Sequence, residues 1–310
     1  MRPQNSADPS ERQRDEIEAI IARFASTHSG YDTSVPGLRV ARISRPVPPT
    51  AHFDAAYLCV CVRGRRRVSA GETVVLHDES HCVLTAIEVP TIIAIPDASP
   101  THPYTALRID LDLSLARQII SEIDIEGPNS VPADACLAVV ELDSDLLDGI
   151  TRLVRLLERP ADIPFMSRLL HREILYRLLS GPGGARLRRI VRSGSQGHRV
   201  AKAIDWLRAH FHERLRIEHL AEKAGMGVST LHRHFAELTG MSPIQYQKQL
   251  RLHEARRLML ENELEVGLAA LTVGYESSTQ FIREYRRLFG APPMRDIKAL
   301  REAGGNRATI

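Results

Sequence analysis

Apolar positions in residues 38–111 fall in short alternating runs, whereas those beyond residue 200 recur at helical spacing, so the chain divides where the period changes. In the C-terminal part, Leu231, Phe235 and Leu238, and then Phe281, Tyr285 and Leu288, are spaced four and three apart and each mark one buried helical face. Between them Ser242, Pro243 and Gln245 form a helix start, with an N-cap, a first-turn proline and a capping-box partner. That helix is expected to run to Leu260. At a rise of ~1.5 Å per residue it would span ~27 Å.

The N-terminal part predicts strands at Leu38–Ile43, Tyr57–Val62, Arg67–Val68 leading to Thr73–Leu76, Cys82–Ile87, Thr91–Ile95 and Tyr104–Leu111. Short strands at this spacing suggest a small barrel or sandwich. Two helical patterns follow: Leu146, Leu147, Ile150, Leu153, Val154 and Leu157, then Leu169, Leu170, Ile174, Leu175 and Leu178. Their apolar faces need a partner, which is either the barrel or the same helix pair in a second copy. The fold class is α+β multidomain, with an N-terminal β-barrel plus helices and a C-terminal all-α domain.

The C-terminal helices repeat. Segments 217–243 and 266–293 match at an offset of about fifty, with Ser229 opposite Thr279, Leu231 opposite Phe281, Arg233 opposite Arg283 and Gly240 opposite Gly290. Upstream, Ala221 matches Ala270, so the second turn is one residue longer. Small Ala221 and Ala270 allow close helix approach, and Gly225 and Gly274 allow the chain reversal of a helix-turn-helix. The faces opposite the apolar stripes carry Ser229, Thr230, His232, Arg233 and Ala236, then Ser278, Thr279, Gln280, Ile282, Arg283, Arg286 and Arg287. Arginine suits guanine edges, glutamine suits adenine, and hydroxyls serve base or phosphate, so these are candidate DNA-reading residues. The alternative is a pair of packing hairpins, which does not by itself require an arginine at the same register in both copies. A connecting helix of this length would set two readers about one turn of duplex apart, ~34 Å. Its Lys248, Arg251, Arg256 and Arg257 either face solvent or contact phosphate.

The segments LAEKAGMGVSTLHRHF, SPIQYQKQLRLHEARRLM and VGYESSTQFIREYRRLFG resemble the AraC/XylS family of bacterial transcription regulators. The resemblance implies that helices over Val228–Leu238 and Ser278–Phe289 are recognition helices. Departures are Ala269 in place of a bulky aliphatic, and Ala291 and Pro292 in place of a Ser-Pro cap. PGLRVARISRP, LCVCVRGRRRV, LTAIEVP, DASPTHPYTALRIDLD and HREILYRLLSGPGGARLRRI resemble the cupin-like N-terminal domain of one branch of that family. This implies an effector-binding and dimerising domain, although Arg63 and Arg65–Arg67 make its turn unusually basic and Ala56 replaces a proline. The expected organisation is a helical lead at 1–34, the cupin-like domain with C-terminal helices at 35–180 and a linker at 181–199. A DNA-binding domain at 200–302, with helix-turn-helix units 217–239 and 266–289, and a tail at 303–310 complete it. Double-stranded DNA, RNA polymerase, an unidentified effector and a second copy are the expected partners. A ligand-responsive activator is the leading expectation, and a constitutive dimeric regulator or a repressor the alternative.

Charge follows the same division. Residues 186–310 hold 22 Lys and Arg against 13 Asp and Glu, a net +9, whereas residues 1–185 hold 19 against 25, a net −6. The whole-chain value of +3 conceals this split. A basic C-terminal part fits phosphate binding. No apolar run reaches the ~20 residues of a membrane span, and MRPQNSADPSERQRDE lacks a signal core, which implies a cytoplasmic protein. Cys59, Cys61, Cys82 and Cys136 fit a reduced compartment and lack CxxC spacing.

No catalytic constellation, cofactor motif or metal-ligand set emerges, and the chain is not expected to be an enzyme. A DNA-repair methyltransferase sharing such a reader would need a metal-bound cysteine cluster that is missing here. His77 and His81 do not have the spacing of a cupin metal site, and His210, His212, His232 and His234 fit surface or capping roles. Cys59 and Cys61 share one face of a strand. They are either small core residues or an effector-sensing pair made thiolate-rich by Arg63 and the arginine turn.

Overall fold

The computed structural model of the chain describes residues 9–27, 32–70, 73–123, 137–181, 184–192 and 195–302. The N-terminal strands are β1 (Leu38–Ile43), β2 (Val47–Asp54), β3 (Tyr57–Arg63), β4 (Arg66–Ala70), β5 (Thr73–His77), β6 (His81–Thr85), β7 (Val89–Ile95), β8 (Tyr104–Asp110) and β9 (Ala138–Glu141). They form two antiparallel sheets, ordered β1-β8-β3-β6-β9 and β2-β7-β4-β5. The expected barrel thus takes the form of two facing sheets.

Strand β3 explains the unbroken apolar run YLCVCV, because it is buried on both faces. Tyr57, Cys59 and Cys61 pack between the sheets with Ala41, Ile43, Ile95, Ala98, Tyr104 and Ala106. Leu58, Val60 and Val62 join the main core on the other face. There α1 (Pro9–Thr27) covers the sheet with Ile17, Ile20 and Ile21. The basic turn is clasped to the same helix, since Arg63 pairs with Glu11 at 3.0 Å, with Glu18 at 3.1 Å and with Asp15.

Three N-terminal elements depart from the sequence expectation. Strand β2 contains Pro48 and Pro49, which cannot donate to a ladder; it lies at a sheet edge, with a register shift between Val47 and Thr50 that takes up both prolines. Helix α2 (Leu113–Glu122) starts where Asp112 accepts from the Ser114 and Leu115 amides, and β9 adds an edge strand to β6. The apolar stripes of α3 (Ser144–Arg155) and α4 (Ile163–Ser180) bury Leu146, Leu147, Ile150, Leu153, Leu170, Ile174 and Leu178 within the chain. Phe165, Leu169 and Tyr176 of α4 stay exposed.

The expected linker is also largely structured. Within it α5 (Ala185–Val191) buries Leu187, Ile190 and Val191, and the Arg188 guanidinium donates to the Leu179 carbonyl. A Cβ at Gly184 would sit 2.0 Å from the Leu178 carbonyl oxygen, so the chain there is packed against α4 rather than free to hinge.

The C-terminal domain contains α6 (Gln196–Ala209), α7 (Ile217–Ala224), α8 (Val228–Thr239), α9 (Pro243–Glu261), α10 (Val266–Thr272), α11 (Ser278–Phe289) and α12 (Pro293–Glu302). The predicted capping box on α9 is formed, with Ser242 Oγ accepting from Gln245 N and Gln245 Oε1 accepting from Ser242 N. Leu231, Phe235 and Tyr246 belong to the main core, which is continuous into the N-terminal domain, whereas Phe281 and Tyr285 anchor a separate core around the second unit. The two domains meet where β2 and the segment before β7 lie against α6, α9 and α11. Arg208 pairs with Glu88 at 2.7 Å, and the Phe53 ring centroid lies 5.3 Å from those of Tyr246 and His253.

Candidate nucleic-acid interface

Each helix-turn-helix turn is closed by a left-handed glycine, Gly225 at φ +63° and Gly274 at φ +89°. Gly225 has open space around its missing Cβ. At Gly274 a Cβ would lie 2.2 Å from the His212 carbonyl oxygen, so no other residue fits without displacing backbone. Turn lengths differ as the repeat predicts, with the longer turn before α11.

Arg251 of α9 makes that close approach into a joint. Its Nε donates to the Phe211 carbonyl at 2.7 Å, Nη2 to the Glu213 carbonyl at 2.8 Å and Nη1 to the Gly274 carbonyl at 2.7 Å. One guanidinium thus ties the end of α6, the connecting helix and the second turn together. The other cations of α9 are also engaged within the protein. Arg256 forms a two-pronged pair with Asp296 at 2.9 and 3.0 Å, Arg257 bridges Glu254 and Glu261, and Lys248 meets Glu284 at 3.0 Å. Tyr285 Oη donates to the same Asp296 at 2.7 Å. The connecting helix therefore spends much of its charge on internal geometry: Arg251 and Arg256 are half-buried in these contacts, whereas Lys248 and Arg257 face solvent while pairing with neighbouring carboxylates.

On α8, Ser229 and Arg233 are exposed and Thr230 and His232 are half-buried, while Leu231 and Phe235 are fully buried on the opposite face. Arg233 is held beside His234, whose Nδ1 lies 2.7 Å from Glu237. On α11, Ser278, Thr279, Gln280, Ile282, Arg283, Arg286 and Arg287 are all exposed, above buried Phe281 and Tyr285. Among the described residues, Arg283, Arg286 and Arg287 make no ion pair. The first turn of α11 is capped by Ser277, and the Gln280 amide donates to Glu284 at 3.1 Å, which orients its side chain along the helix. All twelve residues named on these faces, Ala236 included, thus fall on the outward sides of the two helices that follow the glycine turns.

The effector-sensing residues are placed differently. Cys59 and Cys61 lie between the sheets, and burial pushes both thiols up, away from the thiolate that sensing requires. Arg63 does not offset this, because its guanidinium is turned to α1. Cys82 is buried and its thiol is likewise pushed up, while Cys136 lies outside the described residues.

Sequence reading passed over a different group. Arg66 alternates with Val68 and Ala70 on β4 and so shares their inward face, with 0% exposure. Its Nε donates to His77 Nδ1 at 3.2 Å. His77 Nε2 lies 3.0 Å from the His81 carbonyl, so the ring carries its proton on Nε2 and is neutral; burial lowers its pKa to about 3. His77 is thus a support for an arginine. Among the described residues no three His, Cys, Asp or Glu side chains gather as a metal site.

Comparison with known proteins covers most of the chain. The family model described as the N-terminus of AraC-type transcriptional regulators matches residues 34–186, and a helix-turn-helix domain model matches residues 220–298. The HTH-type transcriptional activator RhaS of Salmonella schwarzengrund is 32% identical over 165 residues, covering 52% of this chain and 58% of RhaS. RhaS of Escherichia fergusonii is 30% identical over 164 residues with the same coverage. The chain spans only a little over half the length of these curated relatives. ToxT from Vibrio cholerae superposes with a TM-score of 0.57 at 11% identity, over 84% of this chain and 97% of that one. Another ToxT structure, bound to an unsaturated fatty acid, gives 0.54 at 8% identity over 84% and 94%. These two show a shared fold.

Proposed function

The chain belongs to the AraC family of transcriptional regulators, and from that premise we propose that it reads double-stranded DNA with α8 and α11 and activates transcription under the control of a small-molecule effector. The observation that carries this reading is a division of labour among arginines. Those of the connecting helix α9 are tied to protein carbonyls and carboxylates, whereas Arg283, Arg286 and Arg287 of α11 stand exposed at the same face as Ser278, Thr279 and Gln280. Three exposed arginines with no ion pair on one helix face suit an anionic partner such as a phosphate backbone. α9 holds the two readers in one rigid body at a separation of about one duplex turn.

The N-terminal sandwich is the effector domain in this reading. Supporting it are the shared fold with ToxT, which has been solved with a bound fatty acid, and the direct seating of β2 on α9. An effector that favours one seating over another shifts the readers with it. A second copy of the chain docks on the outer face of α4, where Phe165, Leu169 and Tyr176 are exposed beside Ile123. RNA polymerase is the downstream partner and the cytoplasm the compartment; no helix among the described residues is long and apolar enough to cross a membrane.

The test is retention of genomic DNA fragments by the purified chain at ~150 mM salt. Recovery of a few sites with two sequence blocks one helical turn apart supports the reading, and uniform retention with and without added small molecules refutes it.

A further inference from the structure

The space between the two sheets contains a positive charge with no counter-charge. Arg66 is fully buried, and with Nε held by neutral His77 both of its terminal nitrogens lack a hydrogen-bond partner. The groups acting on it most strongly are Cys59, Tyr104, Tyr57 and Cys61, weak acids that burial keeps protonated. The carboxylates of this space face the other buried arginine: Arg108 lies 2.7 Å from Asp54 and 2.9 Å from Asp110, and neither acid forms an ion pair with Arg66. A buried cation left unpaired is strongly unfavourable, which marks it as a candidate site for an external anion.

The same space leaves further donors without acceptors. The hydroxyls of Tyr57, Tyr104 and Thr85 are buried with no well-formed hydrogen bond, beyond the approach of Tyr57 to Thr85 and of Tyr104 to Cys59. All three belong to the inward faces of β3, β8 and β6: the register sets Tyr57 opposite Thr85 across β3 and β6, and Tyr104 packs with Tyr57. Around them the lining is small or apolar, with Ala41, Cys59, Ala98 and Ala106 beside Ile43 and Ile95. A planar fork, two phenolic donors and an apolar surround match a group with two acceptor oxygens, a single negative charge and a hydrophobic body.

We propose that the N-terminal sandwich binds a small organic monocarboxylate, its carboxylate held by the two terminal nitrogens of Arg66 with the Tyr57 and Tyr104 hydroxyls, and that His77 positions the arginine. This deepens the effector reading above and rests on it. One charge inside calls for one charge on the ligand. The fork geometry favours a carboxylate over a spherical halide.

Thermal unfolding of the full chain tests this, with hexanoate and benzoate against hexanamide and benzamide, at constant ionic strength and after overnight equilibration because the site is closed. The wild type is expected to gain ~4 °C with at least one acid at saturation and nothing with its amide. Arg66→Gln, which removes an unpaired charge and so should fold, is expected to lose the response at least tenfold in concentration. Arg66→Lys, with charge but no fork, should recover it only in part. Equal shifts by acids and amides, an undiminished response in Arg66→Gln, or no response to any probe would overturn the assignment. Retention of genomic sites by the same preparations separates the two readings. If retention is intact in wild type and Arg66→Gln while acids have no effect, the anion site fails and DNA reading stands. If acids bind but retention never depends on them, the effector reading fails and the site stands.

Discussion

The Tyr246 hydroxyl donates to the Glu88 carbonyl at 2.9 Å, joining the connecting helix of the DNA-binding domain to the segment entering β7, 158 residues earlier. The same ring meets Phe53 from β2 and Phe235 from α8, at centroid separations of 5.3 and 5.4 Å. Tyr246 therefore bridges the sandwich and α8. Tyr246→Phe keeps the ring packing and strands the carbonyl, at a cost of about 1 kcal/mol. Hydrogen exchange is expected to quicken in β2 and the first turns of α9 and to stay unchanged in α12; equal quickening everywhere would mean global destabilisation instead.

Arg233→Ala and Arg283→Ala are each expected to weaken specific binding by about 1–3 kcal/mol if the side chain reads a guanine, with relaxed preference at one base pair. Arg286→Ala and Arg287→Ala, nearer the end of α11, are expected to lower the salt slope by about one instead. Binding isotherms at three salt concentrations, on matched and single-substituted sites, distinguish the two outcomes for each variant.

The two turn glycines provide an internal control. Gly225→Ala puts a Cβ into open space and incurs only the left-handed backbone cost, about 1 kcal/mol. Gly274→Ala adds a 2.2 Å approach to the His212 carbonyl and pushes on the guanidinium of Arg251. Urea denaturation is expected to show the second variant to be the less stable by at least ~2 kcal/mol more than the first.

Docking of the domains is expected to weaken as pH falls from 7 to 5. His52 and His253 lie at the interface, and burial lowers their pKa values to about 4 and about 3. Their stabilising contribution is complete above ~6.5 and is lost as pH falls and the undocked rings take up protons. Glu88 acts the other way: burial raises it to about 7, so its contribution is present at low pH and lost as pH rises through ~7. Two histidines against one carboxylate leave a net loosening on acidification. His253→Phe is expected to flatten the profile, as followed by limited proteolysis between the domains; a profile unchanged in that variant would place the titration elsewhere.

The helices of the C-terminal half could be read from sequence because their caps, glycines and apolar spacing agree with one another, and the repeat read each of them twice. Strand β2 could not, since Pro48 and Pro49 argue against a strand unless it lies at an edge, and edges are a property of the assembled sheet. The stretch from Ser180 to Arg199 has the composition of a linker, yet Leu187, Ile190 and Val191 are apolar at helical spacing, and that spacing outweighs the flanking glycines and serines. Outward faces of α8 and α11 were legible as the complement of their buried stripes. Arg66 and Arg251 were not, because an arginine in a basic run looks solvated. Only the strand parity that turns Arg66 inward, and the carbonyl cluster at the end of α6 that captures Arg251, distinguish them.

The joint at Arg251 and Gly274 has a consequence for the DNA that the proposed readers would accept. A flexible tether between two readers tolerates operators with an added or missing base pair, because the protein supplies the slack. Here Arg251 ties α9 to the turn before α11, whereas inserting one pair rotates the second block by roughly 34° about the duplex axis. On the proposed reading, variation among the binding sites is therefore expected in their bases and not in the count of base pairs between the two blocks, a count set by a carbonyl cluster at the end of α6.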